Sequence, residues 1–377
     1  MNSIKSLPLL LMSALPVFAG TAKTADPATR PQIQVALLLD TSNSMDGLID
    51  QAKRQLWHFV GDFAAARRAG LRPELRVALY EYGKSSLPQG ENYLRMIVPF
   101  TGDLDRVSEA LFALTTNGGD EYCGAVIKAA VGGLDWSSRP GDLKVIFIAG
   151  NEPFTQGDVD YREADAAAKA RGIVVNTIFC GGREEGVSTN WQDGAARAGG
   201  FFMNIDQNRQ VAQVTAPQDA EILDLNGKLN TTYVPVGVRG REGKARQEAQ
   251  DHAASGAGAP VAAARVAAKA SGLYEQGEWD AVDGVQAGRL DLGKLKDDEL
   301  PQEMRGMTVE QRKAYVETQA KKRAELQARI RKLQAEREKF LAEAEKKAAG
   351  APDTLDQALS KSLRTQAEAA GYSFEAK

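Results

Sequence analysis

The residues best placed to do chemistry lie in VALLLDTSNSMDG, from Val35 to Gly47. An apolar run ends on Asp40, and hydroxyls follow at alternate positions, Ser42 and Ser44. Two readings are open. In one, Ser42 or Ser44 caps the helix that starts near Met45. In the other, a carboxylate and two hydroxyls aim hard oxygens at one point. Mg2+ suits such a set, because it keeps several waters and takes few protein carboxylates. Capping needs one oxygen and no acid two residues earlier.

Other chemistries are poorly supplied. The chain has 2 histidines, His58 and His252, too few for a His-rich zinc site, and a Ser-His-Asp triad would need one of them. His58 lies in RQLWHFVGDF, a helical stretch where packing or surface exposure is the ordinary role. No nucleophile–base pair, cofactor fingerprint or phosphate loop stands out. The 377 residues are 43% hydrophobic and 26% charged, with net charge -3. That composition is globular and gives no bulk attraction to nucleic acid or an anionic membrane.

The first residues, MNSIKSLPLLLMSALPVFAG, read as a secretory signal over residues 1–19. Lys5 is the basic start, Leu7 to Phe18 the apolar run, and Val17 and Ala19 suit the cleavage positions. The run is shorter than the roughly 20 apolar residues a span needs. The mature chain is therefore expected to be exported, periplasmic or secreted, with no transmembrane segment.

The loop needs a scaffold. From Ile33 to about Asp206, strand and helix patterns alternate. IQVALLLD, LKVIFIAG and IVVNTIFCG are short apolar runs of the kind buried on both faces of a sheet. ELRVALYEYG and YLRMIVPF flank a turn-rich segment, as in a hairpin. Helical spacing fills the intervals. This rhythm predicts an α/β fold, a doubly wound, mostly parallel sheet over residues 31–210. The loop after the first strand then sits at the carboxyl edge, where open sheets bind ligands.

Residues 211–301 read as linker and helical segment. HAASGAGAP has linker composition, VAAARVAAKASG is a weak helix, and Tyr274 and Trp279 are aromatics able to dock on a neighbour. Residues 302–350 read as one long helix, opened by a Thr308–Gln311 capping box and running uninterrupted to Ala349, with GAP at Gly350 to Pro352 as its stop. It would be about 60 Å long and stand clear of the sheet. Leu326, Ile330, Leu333 and Phe340 form a narrow coiled-coil seam, which Arg323 and Arg337 weaken. Its partner is either the C-terminal helix, residues 351–377, folding back, or a second copy in a homo-oligomer.

D-x-S-x-S after a buried first strand resembles the metal-ion-dependent adhesion site of von Willebrand factor A (VWA) domains. The element order from Ile33 to Asp206 is similar to that fold as well. The resemblance implies a divalent ion, Mg2+ or Mn2+, held by Asp40, Ser42 and Ser44. Two departures stand out. The family's Thr from a later loop, which follows paired glycines, is replaced after Gly118 and Gly119 by Asp120. The family's Asp after the fourth core strand is replaced by Gly150, with Asn151 and Glu152 as the nearest oxygens. Asp120 is therefore expected to complete the metal set, and a metal-free hydrogen-bond cluster is the alternative.

Cys123 and Cys180 end on the same predicted sheet edge. In an exported chain this pair is expected to form a disulfide, about 4 kcal/mol in the chain-entropy model. The alternatives are two buried thiols or a reactive thiol at a helix N-terminus. Tyr122, Phe154 and Trp191 are expected near the same rim. The resemblance implies a binding module, not an enzyme, that engages a protein partner or mediates adhesion through the metal rim. A scaffold working through the long helix, and a metal-dependent hydrolase using Asp120, Glu121 and Glu152, are the alternatives.

Overall fold

The computed structural model describes residues 30–206, 214–347 and 355–374. The export signal expected over residues 1–19 lies outside them. The first half runs β1 (Gln32–Asp40), α1 (Asp46–Asp62), β2 (Ala66–Arg67), β3 (Glu74–Tyr82) and β4 (Leu94–Thr101). It continues α2 (Leu104–Phe112), α3 (Cys123–Gly133), β5 (Leu143–Gly150) and α4 (Tyr161–Ala170). It ends β6 (Val174–Cys180), α5 (Arg183–Ser188), α6 (Trp191–Arg197) and β7 (Phe202–Ile205). The extension is α7 (Asp219–Asn230), α8 (Gly237–Gly256), α9 (Ala259–Ala270), α10 (Ala281–Gln286), α11 (Val309–Lys347), α12 (Leu355–Ala369) and β8 (Ser373–Phe374).

Six strands form one sheet in the order β4-β3-β1-β5-β6-β7. Only β4 runs antiparallel, as the hairpin partner of β3. β1 pairs with β3 on one side and β5 on the other. Its unbroken apolar run follows, since helices cover both faces. Ile33, Val35 and Leu39 pack toward α1 and α2, whereas Ala36 and Leu38 pack toward α3 and α4. The chain crosses to opposite sides of β1, so the carboxyl end of β1 is the topological switch point.

The extension packs on the α1 face. α9 touches α1, α7, α8 and α11, and α12 returns to α1. β8 pairs antiparallel with β2. The stretch read as a linker is the end of α8 and the start of α9. Its small residues are what let these helices approach closely, and Ala263, Ala264 and Ala268 are buried. Tyr274 and Trp279 are also buried, stacking around Tyr233 inside the extension.

The capping box at α11 is present: Thr308 N donates to Gln311 Oε1 at 2.9 Å and Gln311 N to Thr308 Oγ1 at 3.3 Å. α11 is continuous from Val309 to Lys347, and the expected stop at Gly350 to Pro352 lies outside the described residues. It does not stand clear. Ile330 and Leu333 join Ile222, Leu229 and Val266 in one core, so the seam packs on α7 and α9 rather than on the returning C-terminal helix. Arg323 and Arg337 do not weaken that packing either. Arg323 is 4% exposed and bonds Asp280 Oδ2 and Asp283 Oδ1, each at 2.7 Å. Its guanidinium also lies over the Tyr233 ring at 3.9 Å. Arg337 is 1% exposed and bonds Asp219 Oδ1 at 2.6 Å. Sequence distance hid these acids. A buried guanidinium is tolerated only where such partners are in place.

A second buried network joins the two halves. Arg265 of α9 bonds Asp105 of α2 at 2.7 Å and Asp251 of α8 at 2.5 Å. Lys269 holds the other Asp251 oxygen at 2.9 Å, and burial pushes its ammonium down to about 8.

Candidate functional site

β1 delivers Asp40 opposite Tyr82 at the carboxyl edge of the sheet. The backbone then turns sharply. Ser42 N donates to Asp40 Oδ1 at 2.7 Å, and Thr41 N donates to Tyr82 O at 2.8 Å. These bonds fix the loop before α1 starts. Ser42 occupies the N-cap position of the short turn Asn43–Met45, yet its side chain makes no capping bond. Its hydroxyl lies 3.0 Å from Ser44 Oγ instead, and Ser44 Oγ donates to Asn151 Oδ1 at 3.2 Å. The capping reading therefore does not account for either hydroxyl.

Asp40 is fully buried, and its Oδ2 has no hydrogen-bond partner. The structure does not bring Asp120 to it. Asp120 is exposed and accepts from Tyr122 Oη at 3.3 Å. Glu121 takes the inward place, 4% exposed, with its carboxyl against Asp40 and Ser42. Glu121 N donates to Gln156 Oε1 at 2.8 Å, which anchors the loop. Sequence reasoning named Glu121 only as an acid for hydrolysis. The signal for its inward aim was Cys123: in an extended lead-in, residues two apart share a side.

Two glycines let the loops meet. Gly83 has φ +81, and a Cβ there would lie 2.7 Å from Asp40 Oδ1 and 2.8 Å from Glu121 Cγ. A Cβ on Gly119 would lie 2.6 Å from Gly83 O. Gly150 is explained as well. A Cβ there would meet Tyr82 Oη at 2.5 Å, so the tyrosine fills the space an added side chain would need. Tyr82 Oη donates to Ala149 O at 3.0 Å.

The electrostatics are those of two carboxyls held together away from water. Burial first, and then Glu121, raise the Asp40 carboxyl well above its usual range. Burial also raises Glu121. Two buried carboxylates side by side cannot both stay ionised without a cation. Among the described residues no group of three or more His, Cys, Asp or Glu is arranged to hold a metal. What is present is a pair of carboxyls with a pair of hydroxyls. Such hard oxygens, with Asp40 Oδ2 unsatisfied, fit Mg2+ or Mn2+ better than a soft or imidazole-seeking metal. The rim around them is polar and exposed: Asn43, Ser44, Ser85, Asn117 and Asp120.

The remaining expectations at this edge are corrected. Cys123 and Cys180 are buried free thiols. They share an edge but not a face: Cys123 packs in the α3 layer and Cys180 in the α1 layer, with the sheet between them. Phe154 and Trp191 are fully buried and pack edge to face at 4.9 Å. Tyr122 alone of the three aromatics reaches the rim, half-buried beside Tyr93.

Residues 34–216 match the family described as von Willebrand factor type A domain. No curated protein matches the chain. Solved structures similar to it include BatB from Bacteroides thetaiotaomicron, at 18% identity over 46% of this chain and 90% of that one, with TM-score 0.35. The SpRpn10 VWA domain is 16% identical over 48% of this chain and 90% of that one, with TM-score 0.36. Proximal thread matrix protein 1 from the mussel byssus, with a zinc-occupied MIDAS motif, is 13% identical over 48% of this chain and 43% of that one, with TM-score 0.34. The sheet order of this chain agrees with its family match: residues 34–216 match the von Willebrand factor type A domain.

Proposed function

We propose that the chain is an exported protein-interaction module whose VWA domain engages a protein partner at the Asp40 edge, around a divalent cation. The unsatisfied, fully buried Oδ2 of Asp40, in the same tight loop as the paired Ser42 and Ser44 hydroxyls, carries this reading. Asp40 and Glu121 would supply charge to Mg2+ or Mn2+, and the two hydroxyls neutral oxygens. The ion would join the β1 loop to the lead-in of α3 and fix the rim that a partner meets. Ser44 is exposed, so the outer side of the set faces solvent.

Glu121 changes what that rim asks of a partner. A divalent ion facing one carboxylate keeps a net positive charge and attracts an acid from outside. Facing Asp40 and Glu121 together, it is neutralised within the chain. Recognition would then rest on the polar rim rather than on an acidic group from the partner. Export is supported by the composition of residues 1–19. Among the described residues, no helix is long and apolar enough to cross a membrane. The long helix buries Ile330 and Leu333 of its apolar seam inside the chain and leaves Phe340 exposed, which favours the sheet edge over α11 as the interaction surface.

A photo-crosslinker placed at Ser85 in the exporting cell tests the reading. Discrete adducts that disappear in Asp40→Ala and on chelation would support it. The same adducts in both conditions would assign recognition to another surface.

A further inference from the structure

At the opposite end of the sheet, arginines from three distant segments end on one short loop, Ala270 to Glu275. Arg30, just before β1, bonds Glu275 from Nη1 at 2.9 Å and reaches Pro73 O from Nη2 at 3.5 Å. Arg331 of α11 donates from Nη1 to Ala270 O at 2.9 Å. Arg72, in the turn before β3, lies so close over Gly272 that a Cβ there would fall 1.3 Å from its Nη1.

Arg72 is the unusual member. Among the described residues it makes no hydrogen bond or ion pair, and its Nε is buried without a partner. Burial, then Arg67, Arg30 and Arg331, press its guanidinium below the usual range, with Glu275 opposing. Glu275 already serves Arg30. Together with Arg67, which also donates to Ala64 O and Ala66 O, the guanidinium groups of Arg30, Arg72 and Arg331 therefore crowd one carboxylate. Self-repulsion of this kind with an unsatisfied buried donor costs stability unless an anion completes the set. Arg331 and Glu275 are exposed, so the place is open to solvent.

The geometry points to a binding site for a compact oxyanion of the phosphate class, held by Arg30, Arg72 and Arg331 over the Ala270–Glu275 loop. The planar forks present parallel N–H donors that match tetrahedral oxygens. A dianion offsets more of the positive charge that Glu275 leaves over than a single carboxylate does. Arg30 and Arg72 belong to the sheet domain, Arg331 and the loop to the extension. The anion would therefore lie at the joint between them and strengthen it. This site is independent of the Asp40 edge.

Thermal melts of the full chain in inorganic phosphate, against sodium chloride of equal ionic strength, test this. At about 10 mM phosphate the melting temperature should rise by about 2 °C more than in chloride, and the rise should saturate. Arg72→Met should lose the phosphate-specific rise while melting at or above the wild type in chloride, because it removes an unpaired cation. Arg331→Gln alters one exposed residue and should weaken phosphate binding by about tenfold in calorimetry. Equal melts in phosphate and chloride for the wild type would overturn the site. So would a full phosphate response in either variant.

Discussion

Glu121 lies buried against Asp40 at the switch point of the sheet, while its neighbour Asp120 faces solvent. Two acids adjacent in sequence thus take opposite parts. Glu121→Gln should weaken Mn2+ binding by at least about tenfold, since ligand charge count sets affinity. Asp120→Asn should leave it unchanged. Calorimetric titration of both variants checks this, and the reverse ranking would return the role to Asp120.

The thiols give a second check. Cys123 and Cys180 are free and buried, and burial raises both above the usual thiol range. Native protein purified without reductant should resist alkylation, and both thiols should react once the chain is unfolded under the same conditions. An intact mass two hydrogens lighter, with no reactive thiol after unfolding, would contradict the structure.

Arg337 and Asp219 form a pair in which each residue is 1% exposed. Arg337→Ala leaves the acid buried and alone, and should cost about 3–5 kcal/mol in denaturant unfolding. Replacing both residues with apolar ones of similar volume should recover most of that loss. A cost below about 1 kcal/mol for the single change would mean the pair does not hold α11 in place.

Asp165 of α4 is fully buried, and neither of its carboxyl oxygens has a partner. Burial pushes it up to about 7 from a model-compound value of 3.8. The folded state therefore holds this proton more tightly than the unfolded chain. The resulting stability is fully present below pH 3.8 and is lost as pH rises toward 7. The loss should reach roughly 4 kcal/mol. Asp165→Asn should flatten that part of the stability curve, as read by denaturant midpoints across the range. A curve that keeps its slope in the variant would place the proton elsewhere.

The sheet was legible because its cause is local. A strand between two parallel neighbours is mostly apolar, and the runs ending at Asp40, Gly150 and Cys180 are, apart from Gln34, Lys144, Asn176 and Thr177. The loop residues Asp40, Ser42 and Ser44 were legible for the same reason. What was not legible depended on partners far along the chain. Arg323 and Arg337 look like seam breakers until Asp280, Asp283 and Asp219 fold against them. The alanines of α9 look like a weak helix behind a linker until α1, α7, α8 and α11 close around them. The cysteines share an edge, but only the layering of α1 and α3 shows that they point to opposite faces. Glu121 fell between: the buried Cys123 two residues on carried the signal, and the paired glycines drew attention to Asp120.

The most direct measurement is calorimetric titration of the mature chain with Mn2+ and Mg2+, alongside Asp40→Ala. Saturable binding at one site is expected, with a rise in melting temperature on loading, both lost in Asp40→Ala. No heat at millimolar Mn2+ or Mg2+, and no Asp40-dependent change in melting, would contradict it and leave these oxygens holding the loop alone.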